Sequence, residues 1–241
     1  MGIAEQSMMD TAAGLAAAGK IPFVSTFAIF ATGRAWESVR QSIAYPRFNV
    51  KIVASHAGVT VGEDGASHQT VEDIALMRAI PGMVVIVPAD AVETERVVEE
   101  IARYDGPVYV RLARSKFPVV LDSGYTFAIG KGTILREGSD LTICATGLMV
   151  AHSLEAAQLL EKEGIKARVV NISTIKPLDD ELVVRCARET GHVVTVEEHS
   201  IIGGLGSAVA EVLSERCPTH MDRVGIRDQF GTSGTAEDLL R

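Results

Sequence analysis

The sequence predicts an α/β fold with two domains, each a parallel or mixed sheet in a three-layer arrangement, and three observations lead to this prediction. Near-continuous apolar runs alternate with helical segments, which is typical of a sheet covered by helices on both faces. The alternation stops at residues 118–140, where turn residues accumulate, and then restarts. The 241 residues allow one or two domains at about 150 residues each. We therefore expect domains at residues 1–125 and 126–241.

In the first half, local signals start or end the elements. An alanine-rich segment predicts a helix that Gly19 ends, and Pro46 ends a second helix because the residue before a proline avoids the helical conformation. Short runs of β-branched and other apolar residues predict the strands. The predicted helices cover residues 5–18, 34–44, 71–79 and 91–103. The predicted strands cover residues 23–30, 50–55, 83–87 and 108–112.

The second half repeats the alternation after a less regular link. Within this link, residues 126–135 fit either a β-hairpin or a linker strand. The predicted helices that follow cover residues 149–164, 180–189 and 207–216. The predicted strands cover residues 141–146, 167–172, 192–197 and 223–226.

Composition and charge exclude several classes of protein. Lys and Arg total 23 against 31 Asp and Glu, a net charge of −8, so we expect no nucleic-acid partner and no anionic membrane surface. No apolar stretch approaches the roughly 18 residues of a membrane span, and the first six residues lack the basic and apolar regions of a secretory signal. Cys144, Cys186 and Cys217 fit neither a disulfide framework nor a metal knuckle. These features predict a cytoplasmic protein with reduced thiols.

The most informative segment is the glycine-rich loop, residues 56–69 (HAGVTVGEDGASHQ). It follows a predicted buried strand, and open α/β sheets bind ligands at the carboxyl ends of their strands. Its glycines permit tight turns and a close approach to a ligand, while His56, Asp64 and His68 supply acid, base and hydrogen-bonding groups. Two alternatives stay open: a solvated polar loop, and a metal site between the histidines, whose spacing matches no known ligand pattern.

Two further features near the amino terminus have simpler explanations as well as functional ones. Glu5 lies in the first turn of the first predicted helix, where a carboxylate stabilises the helix dipole by about 0.3–1 kcal/mol without any catalytic role. Phe27 and Phe30, three residues apart, fit ordinary core packing as well as an aromatic platform for a cofactor.

Two later segments are equally open to two interpretations. Arg111 and Arg114 follow a predicted strand and suit bidentate phosphate binding, but a surface role for these arginines explains them equally well. Residues 203–207 (GGLGS) lack the full spacing of a dinucleotide loop, so tight packing of strand and helix is the better explanation.

Taken together and in this order, the segments resemble transketolase. In the first half they are GIAEQ (2–6), STFAIF (25–30), the glycine-rich loop (56–69) and VRLAR (110–114). In the second half they are IKPLD (175–179), EEH (197–199) and IGGLG (202–206). The likeness covers essentially the whole chain. The resemblance is strongest to the C-terminal subunit of split transketolases, in which two chains replace one polypeptide. It implies a pyrimidine-binding domain followed by the transketolase C-terminal domain.

The resemblance implies a cofactor and a partner. The family binds thiamine diphosphate between α/β domains of different chains, and one domain holds the diphosphate and Mg²⁺ through a Gly-Asp-Gly…Asn motif. Residues 62–65 (GEDG) are not that motif, and no other segment matches it. We therefore expect an N-terminal subunit that holds the metal and the diphosphate as the partner of this chain, in an α2β2 assembly.

Matching positions imply roles for individual residues at the cofactor. Glu5 resembles the carboxyl group that donates a hydrogen bond to the pyrimidine ring, which favours the imino tautomer. We expect burial at the subunit junction to raise its pKa and keep it neutral. Phe30, with Phe27 nearby, resembles the aromatic wall against which the pyrimidine packs.

The resemblance also implies a sugar-phosphate site. His68 matches a histidine that faces the reacting oxygens of the donor sugar, and Asp64 matches a residue that binds a sugar hydroxyl. His56 and Arg114 match residues that bind the sugar phosphate. The implied reaction transfers a two-carbon ketol group from a ketose phosphate to an aldose phosphate, and the cofactor stabilises the carbanion.

The sequence departs from the family at its start. In the family, a strand, a helix and roughly 50–60 residues of ordinary domain chain precede the GIAEQ segment, and this sequence lacks them. This leaves open a minimal natural form or a truncation that only packs against a partner. A second alternative is another thiamine-diphosphate enzyme half, similar to deoxyxylulose-phosphate synthase or to the β subunit of a 2-oxo acid dehydrogenase.

Overall fold

The computed structural model describes residues 1–240, and the strands of this range form two five-stranded sheets. The strands are β1 (Phe23–Val24), β2 (Lys51–Ala54), β3 (Val84–Ile86), β4 (Val108–Arg111), β5 (Thr133–Arg136), β6 (Leu141–Ala145), β7 (Ala167–Asn171), β8 (Thr174–Lys176), β9 (His192–Ser200) and β10 (His220–Ile226). Their order is β1-β2-β4-β3-β8 in the first sheet and β10-β9-β6-β7-β5 in the second.

Helices connect most of these strands. They are α1 (Glu5–Ala17), α2 (Trp36–Ser38), α3 (Asp73–Arg78), α4 (Ala91–Arg103), α5 (Met149–Lys162), α6 (Asp180–Thr190), α7 (Leu205–Arg216) and α8 (Ala236–Leu239). Wider π-helical turns, Phe30–Arg34 and Val39–Ala44, flank α2, and a 3₁₀ segment, Val59–Asp64, crosses the glycine-rich loop. Gly19 ends α1 as expected, in a left-handed conformation with φ 80°.

Both sheets are mixed, which confirms the predicted fold class. In the first sheet β1, β2, β4 and β3 are parallel and β8 pairs antiparallel with β3. In the second sheet β5 pairs antiparallel with β7, and the other pairs are parallel. Because crossover helices place the carboxyl ends of parallel strands at one edge, residues that follow β1 and β2 come together there.

The two halves of the chain share a β-sheet and a hydrophobic core. Strand β8 comes from the second half but extends the first sheet, and the largest core cluster contains side chains of both halves, such as Val85 and Ile172. Glu93 of α4 is fully buried at this junction and accepts hydrogen bonds from Asn171 and Tyr125. The division of the chain at residue 125 stays a prediction.

The structure differs from the sequence prediction in three elements. The strand expected at residues 23–30 ends at Val24, because Ala31 N donates to Phe27 O at 3.0 Å and starts a helical turn. The link forms the single strand β5, with β7 as its partner, which agrees with the linker-strand alternative and not with the hairpin. Strand β8 and helix α8, three and four residues long, were missed because such short elements carry no periodicity.

Within residues 1–240, the structure has no helix with the length and apolar character that crossing a lipid bilayer requires.

Candidate functional site

Four aromatic rings lie together at the carboxyl end of the first sheet. Phe27 stacks on His56 with ring centroids 3.8 Å apart and on Phe30 at 6.0 Å. The His68 ring meets both phenylalanines edge-on, with centroids 6.2 Å from Phe27 and 5.6 Å from Phe30. All four residues are partly exposed, so the cluster presents aromatic surface to a ligand.

Local backbone conformation brings these rings together. The helical turn that begins at Phe27 places Phe27 and Phe30, three residues apart, on one side of the chain. His56 follows β2 in a left-handed conformation with φ 59°, and Gly58 has φ 82°. A Cβ atom at Gly58 would overlap the carboxylate of Glu198, so only glycine fits at this turn.

Glu5 reaches the ring cluster through Arg34. Arg34 Nη1 donates to Glu5 Oε2 at 2.9 Å, and the guanidinium lies over the Phe30 ring, 4.5 Å from its centroid. The Glu5 side chain is 7% exposed and that of Arg34 is 48% exposed. We call Glu5, Phe27, Phe30, Arg34, His56 and His68 the open cluster.

The pKa of Glu5 differs from the sequence-based expectation. Burial by itself raises the pKa of Glu5, but the hydrogen bond from Arg34, a backbone hydrogen bond and the positive charge of Arg34 together outweigh burial and leave the pKa below its usual value. In the single chain this carboxylate is therefore ionised and can only accept hydrogen bonds. The raised pKa expected for Glu5 at the subunit junction stays a prediction, and in the single chain Arg34, which that expectation did not include, lowers it.

Arg114 lies against the glycine-rich loop. Its Nη1 donates to Val61 O at 2.6 Å and to Asp64 Oδ2 at 3.3 Å, and it lies 3.8 Å from Glu63 Oε2. Burial and the positive charge of Arg114 both lower the pKa of His56, while Asp64 opposes them. His56 is therefore mainly neutral at pH 7, and Arg114 supplies the positive charge at this end of the loop.

Each histidine of the loop has a serine beside it. Ser55 Oγ lies 2.9 Å from His56 Nδ1, and Ser67 Oγ lies 2.9 Å from His68 Nδ1. In the described part of the chain the Nε2 atoms of His56 and His68 have no hydrogen-bond partner. These two atoms are thus free to donate to, or accept from, a polar ligand.

A second polar group, which we call the buried charge network, lies beneath the loop and consists of Asp73, Tyr109, Arg111 and Glu198. Arg111 Nε donates to Asp73 Oδ2 at 2.9 Å, and Tyr109 OH donates to the same carboxylate at 2.7 Å. Arg111 also donates to the backbone oxygen of Glu198, and Glu198 Oε1 accepts from Thr60 N at 2.6 Å. The network therefore ties the second half of the chain to the loop.

This network decides between the two interpretations of Arg111, the last residue of β4. Arg111 is buried and fully engaged by Asp73 and Glu198, so it is a structural residue and not a phosphate ligand. Burial and the neighbouring Asp73 raise the pKa of Tyr109, which keeps its hydroxyl protonated and donating. Arg114 is 41% exposed and faces the loop.

Glu197 and His199 flank Glu198 and are buried too. Burial raises the pKa of Glu197 to about 7, although Leu205 N and Gly206 N both donate to it. Burial lowers the pKa of His199 to about 4. The Glu197 Oε2 and His199 Nδ1 atoms lie 3.7 Å apart, but between about pH 4 and 7 both groups are neutral and form no ion pair.

The structure thus brings Glu5, Phe27, Phe30, His56 and His68 together, and it pairs Arg114 with Asp64 close enough to His56 to affect its pKa. Sequence reasoning missed Arg34, whose partner Glu5 is 29 residues away. Its only local signal is a position four residues after Phe30, at helical spacing. Among residues 1–240, no group of three His, Cys, Asp or Glu side chains is placed to hold a metal ion, so the alternative of a metal site between the histidines gains no support.

Two protein-family models together match nearly the whole chain. The model of the transketolase pyrimidine binding domain matches residues 1–119, and that of the transketolase C-terminal domain matches residues 130–241. A putative transketolase C-terminal section from Methanocaldococcus jannaschii is 55% identical over 243 residues, which cover 100% of this chain and 76% of the relative. The 6-deoxy-6-sulfo-D-fructose transketolase subunit SqwH from Clostridium sp. is 48% identical over 239 residues, 99% of this chain and 74% of the relative.

Solved structures agree with this match. A structure described as a split gene transketolase, inactive β4 tetramer, is 58% identical, with a TM-score of 0.94 over 100% of this chain and 77% of that chain. The transketolase of Campylobacter jejuni is 27% identical, with a TM-score of 0.80 over 98% of this chain and 35% of that chain.

Proposed function

This chain belongs to the transketolase family, and we propose that it is the C-terminal subunit of a split transketolase. Family membership implies dependence on thiamine diphosphate. The proposed reaction transfers a two-carbon ketol group from a ketose phosphate to an aldose phosphate. The observation that carries the proposal is the open cluster, which combines an aromatic surface, a carboxylate and two histidines at the carboxyl end of the sheet.

The proposed partner is an N-terminal subunit that holds the diphosphate and Mg²⁺, in an α2β2 assembly. The names of several relatives support this, because they describe a C-terminal section or a subunit of a transketolase. The solved relative described as a β4 tetramer is also described as inactive. An assembly of this type of chain alone is thus compatible with a missing half of the active site.

The residues of the open cluster fit the pyrimidine half of the cofactor. Phe27 and Phe30 offer partly exposed ring surface, and Glu5 offers a carboxyl group at the edge of that surface. A flat heteroaromatic ring needs both an apolar face and a hydrogen-bonding edge. When bound, thiamine diphosphate supplies the carbon centre that accepts the electrons of the broken carbon–carbon bond.

Glu5 has to change partners for this role. In the single chain Arg34 holds it ionised, and an ionised carboxylate cannot donate a hydrogen bond to a ring nitrogen. Arg34 is half exposed and on a surface helical turn, so it can move away at low cost. Without Arg34, burial outweighs the remaining backbone hydrogen bond and raises the pKa of Glu5, which favours the protonated, donating form.

The glycine-rich loop supplies the proposed sugar-phosphate site. Arg114 offers a guanidinium beside the loop in a protein whose net charge is negative. His56 lies close enough for this charge to lower its pKa. Guanidinium groups suit phosphate oxygens because they donate two parallel hydrogen bonds. In the proposed site His68, which lies next to the two phenylalanine rings, donates to a substrate oxygen, and Asp64 accepts from a hydroxyl.

A reconstitution assay tests the proposed function. The chain alone is expected to give no ketol transfer from xylulose 5-phosphate to ribose 5-phosphate, and activity is expected when the diphosphate-binding subunit, thiamine diphosphate and Mg²⁺ are added. Glu5→Ala is expected to abolish this activity, whereas Glu215→Ala, at an exposed glutamate of α7, is expected to retain it. Full activity of the chain alone, or assembly without turnover, would contradict the proposal, and the second result would favour a non-catalytic assembly subunit.

A second candidate is a deoxyxylulose-phosphate synthase-like half-enzyme. It is favoured by 42% identity to 1-deoxy-D-xylulose-5-phosphate synthase of Heliobacterium modesticaldum, over 99% of this chain and 37% of that relative. Pyruvate as the only accepted donor would identify this activity. Because relatives are named for sulfofructose and apulose 4-phosphate, the donor panel should include other ketoses and their phosphates.

A further inference from the structure

Gln69, the last residue of the glycine-rich loop, connects this loop to a segment near the carboxyl terminus. Its side-chain amide is buried, and Nε2 lies within hydrogen-bond distance of three backbone oxygens. Two of them belong to the loop, Val59 O at 3.1 Å and Gly62 O at 3.0 Å. The third is Thr232 O at 2.9 Å, 163 residues further along the chain.

The segment that contains Thr232, which we call the C-terminal tail (residues 231–240), packs closely on the loop. A Cβ atom at Gly231 would overlap Gln69 Oε1, and a Cβ atom at Gly65 of the loop would lie 2.5 Å from Ser233 Oγ. Helix α8, capped by Thr235, packs on the 3₁₀ segment of the loop. The tail therefore covers the part of the loop between its two histidines.

The glycine-rich loop is also bonded to the protein interior. Glu198 accepts from Thr60 N, so the interior fixes the beginning of the 3₁₀ segment, and Gln69 fixes its carbonyl oxygens. Asp64 lies at the end of this segment and His68 is adjacent to Gln69. Both residues thus lie on or next to the segment that the Gln69 amide holds.

We propose that Gln69 is a positioning residue that couples the C-terminal tail to the glycine-rich loop, so that the tail sets the geometry of His68 and Asp64. The coupling itself is a property of the single chain. Its consequence for sugar binding rests on the proposed function, since only there does the loop bind a donor sugar.

Hydrogen–deuterium exchange of the full chain tests the coupling. Gln69→Glu replaces a donor by a carboxylate that faces three carbonyl oxygens, and we expect exchange in both residues 58–69 and the tail to rise about tenfold. Lowering the pH to 5 should reverse part of this effect, because a protonated glutamic acid can again donate. Gln229→Glu, the same change at an exposed position before the tail, is expected to leave both segments unchanged.

A second variant keeps the Gln69 side chain. Gly231→Ala inserts a methyl group where it overlaps Gln69 Oε1, whereas Gly14→Ala inserts one where no atom lies within 4 Å. Faster exchange of residues 58–69 in Gly231→Ala, but not in Gly14→Ala, supports the coupling. Unchanged loop exchange after the tail has been displaced overturns it, whether or not Gln69→Glu folds.

Kinetics of the complex with the diphosphate-binding subunit test the consequence. Gly231→Ala is expected to raise KM for the donor sugar phosphate about tenfold with the apparent Kd of thiamine diphosphate unchanged, because Glu5 and Phe30 lie outside the loop. An equal loss in both constants contradicts a positioning role. If the unaltered complex transfers no ketol group, the proposed function fails, while the exchange experiment still decides the coupling.

Discussion

The open cluster and the buried charge network touch the same loop but differ in how their charges are satisfied. In the open cluster, Glu5 pairs with the half-exposed Arg34, and the rings present a free surface. In the buried charge network, Arg111 and Asp73 are 5% and 0% exposed and pair with each other. A partner or ligand can enter the first group without breaking the core, and cannot enter the second.

This difference shows that large pKa shifts do not locate the site in this protein. Burial moves the pKa of Glu197 to about 7 and that of His199 to about 4, and neither residue belongs to the open cluster. Both side chains are sealed inside and contact backbone groups. Desolvation explains such shifts without any catalytic role, so exposure has to be considered together with pKa.

The largest expected effect on stability lies in the buried charge network. Arg111→Gln leaves the Asp73 carboxylate buried without its charge partner, and we expect the free energy of unfolding to fall by about 3–5 kcal/mol. The matched change Arg114→Gln, at a 41% exposed residue, is expected to cost less than about 1 kcal/mol. Urea unfolding of both variants makes the comparison, and equal losses would remove the distinction between the two regions.

The second prediction concerns the pH dependence of stability. Burial raises the pKa of Glu197 from 4.5 to about 7, so the folded state holds this proton more tightly than the unfolded state. The stabilising contribution is full below pH 4.5 and is lost as the pH rises through 7. Glu197→Gln does not titrate, so its stability relative to the unaltered protein should rise by about 3 kcal/mol between pH 4.5 and 7.5.

His199 is relevant to that experiment because its titration changes the free energy of unfolding in the opposite direction. Its pKa falls from 6.5 to about 4, so its contribution is present above pH 6.5 and is lost as the pH falls through 4. In the unaltered protein the two dependences oppose each other between about pH 4.5 and 6.5. A flat difference between Glu197→Gln and the unaltered protein across this range would show that Glu197 titrates normally.

The third prediction is a small effect on stability with a large effect on activity. Glu5→Gln should change the free energy of unfolding by less than about 1 kcal/mol, because water screens the half-exposed Arg34. Ketol transfer by the reconstituted enzyme should fall by about 10²–10⁴-fold, the usual contribution of a proton-transferring group. A strongly destabilised variant would place Glu5 among the structural charges instead.

The smallest expected effect is a change in the pKa of a single group, the Glu5 carboxyl. Arg34→Met removes the group that holds the Glu5 pKa down, so this pKa should rise, as burial alone dictates. Arg40→Met, at an exposed arginine of the following helical turn, should leave it unchanged. A ¹³C NMR titration of the Glu5 carboxyl group in the three proteins measures the difference.

The sequence predicts the open cluster better than the buried charge network, and the reason is separation along the chain. The loop and the Phe27–Phe30 pair are local patterns at the ends of strands, and the alternation that predicts the sheet also predicts where they meet. The contact from Thr60 to Glu198 joins residues 138 apart, and no local pattern reports it. Glu5 and Arg34 are 29 residues apart, so no local pattern predicts their ion pair either.

Arg111 illustrates a limit of strand periodicity. All four residues of β4 are buried, so the usual alternation between an inner and an outer face gives no information on where Arg111 points. The same holds for the turn after β1, where the strand propensity of residues 25–30 gives way to a helical turn. Tertiary contacts decide both positions.

The most direct test of the two-region account is calorimetric titration of thiamine diphosphate with Mg²⁺. If the open cluster is half of a cofactor site, the chain alone shows no saturable binding. The mixture with the diphosphate-binding subunit binds the cofactor more tightly than that subunit does by itself, and Glu5→Gln weakens this binding. Cofactor binding by the chain alone that is as tight as in the mixture would contradict the account.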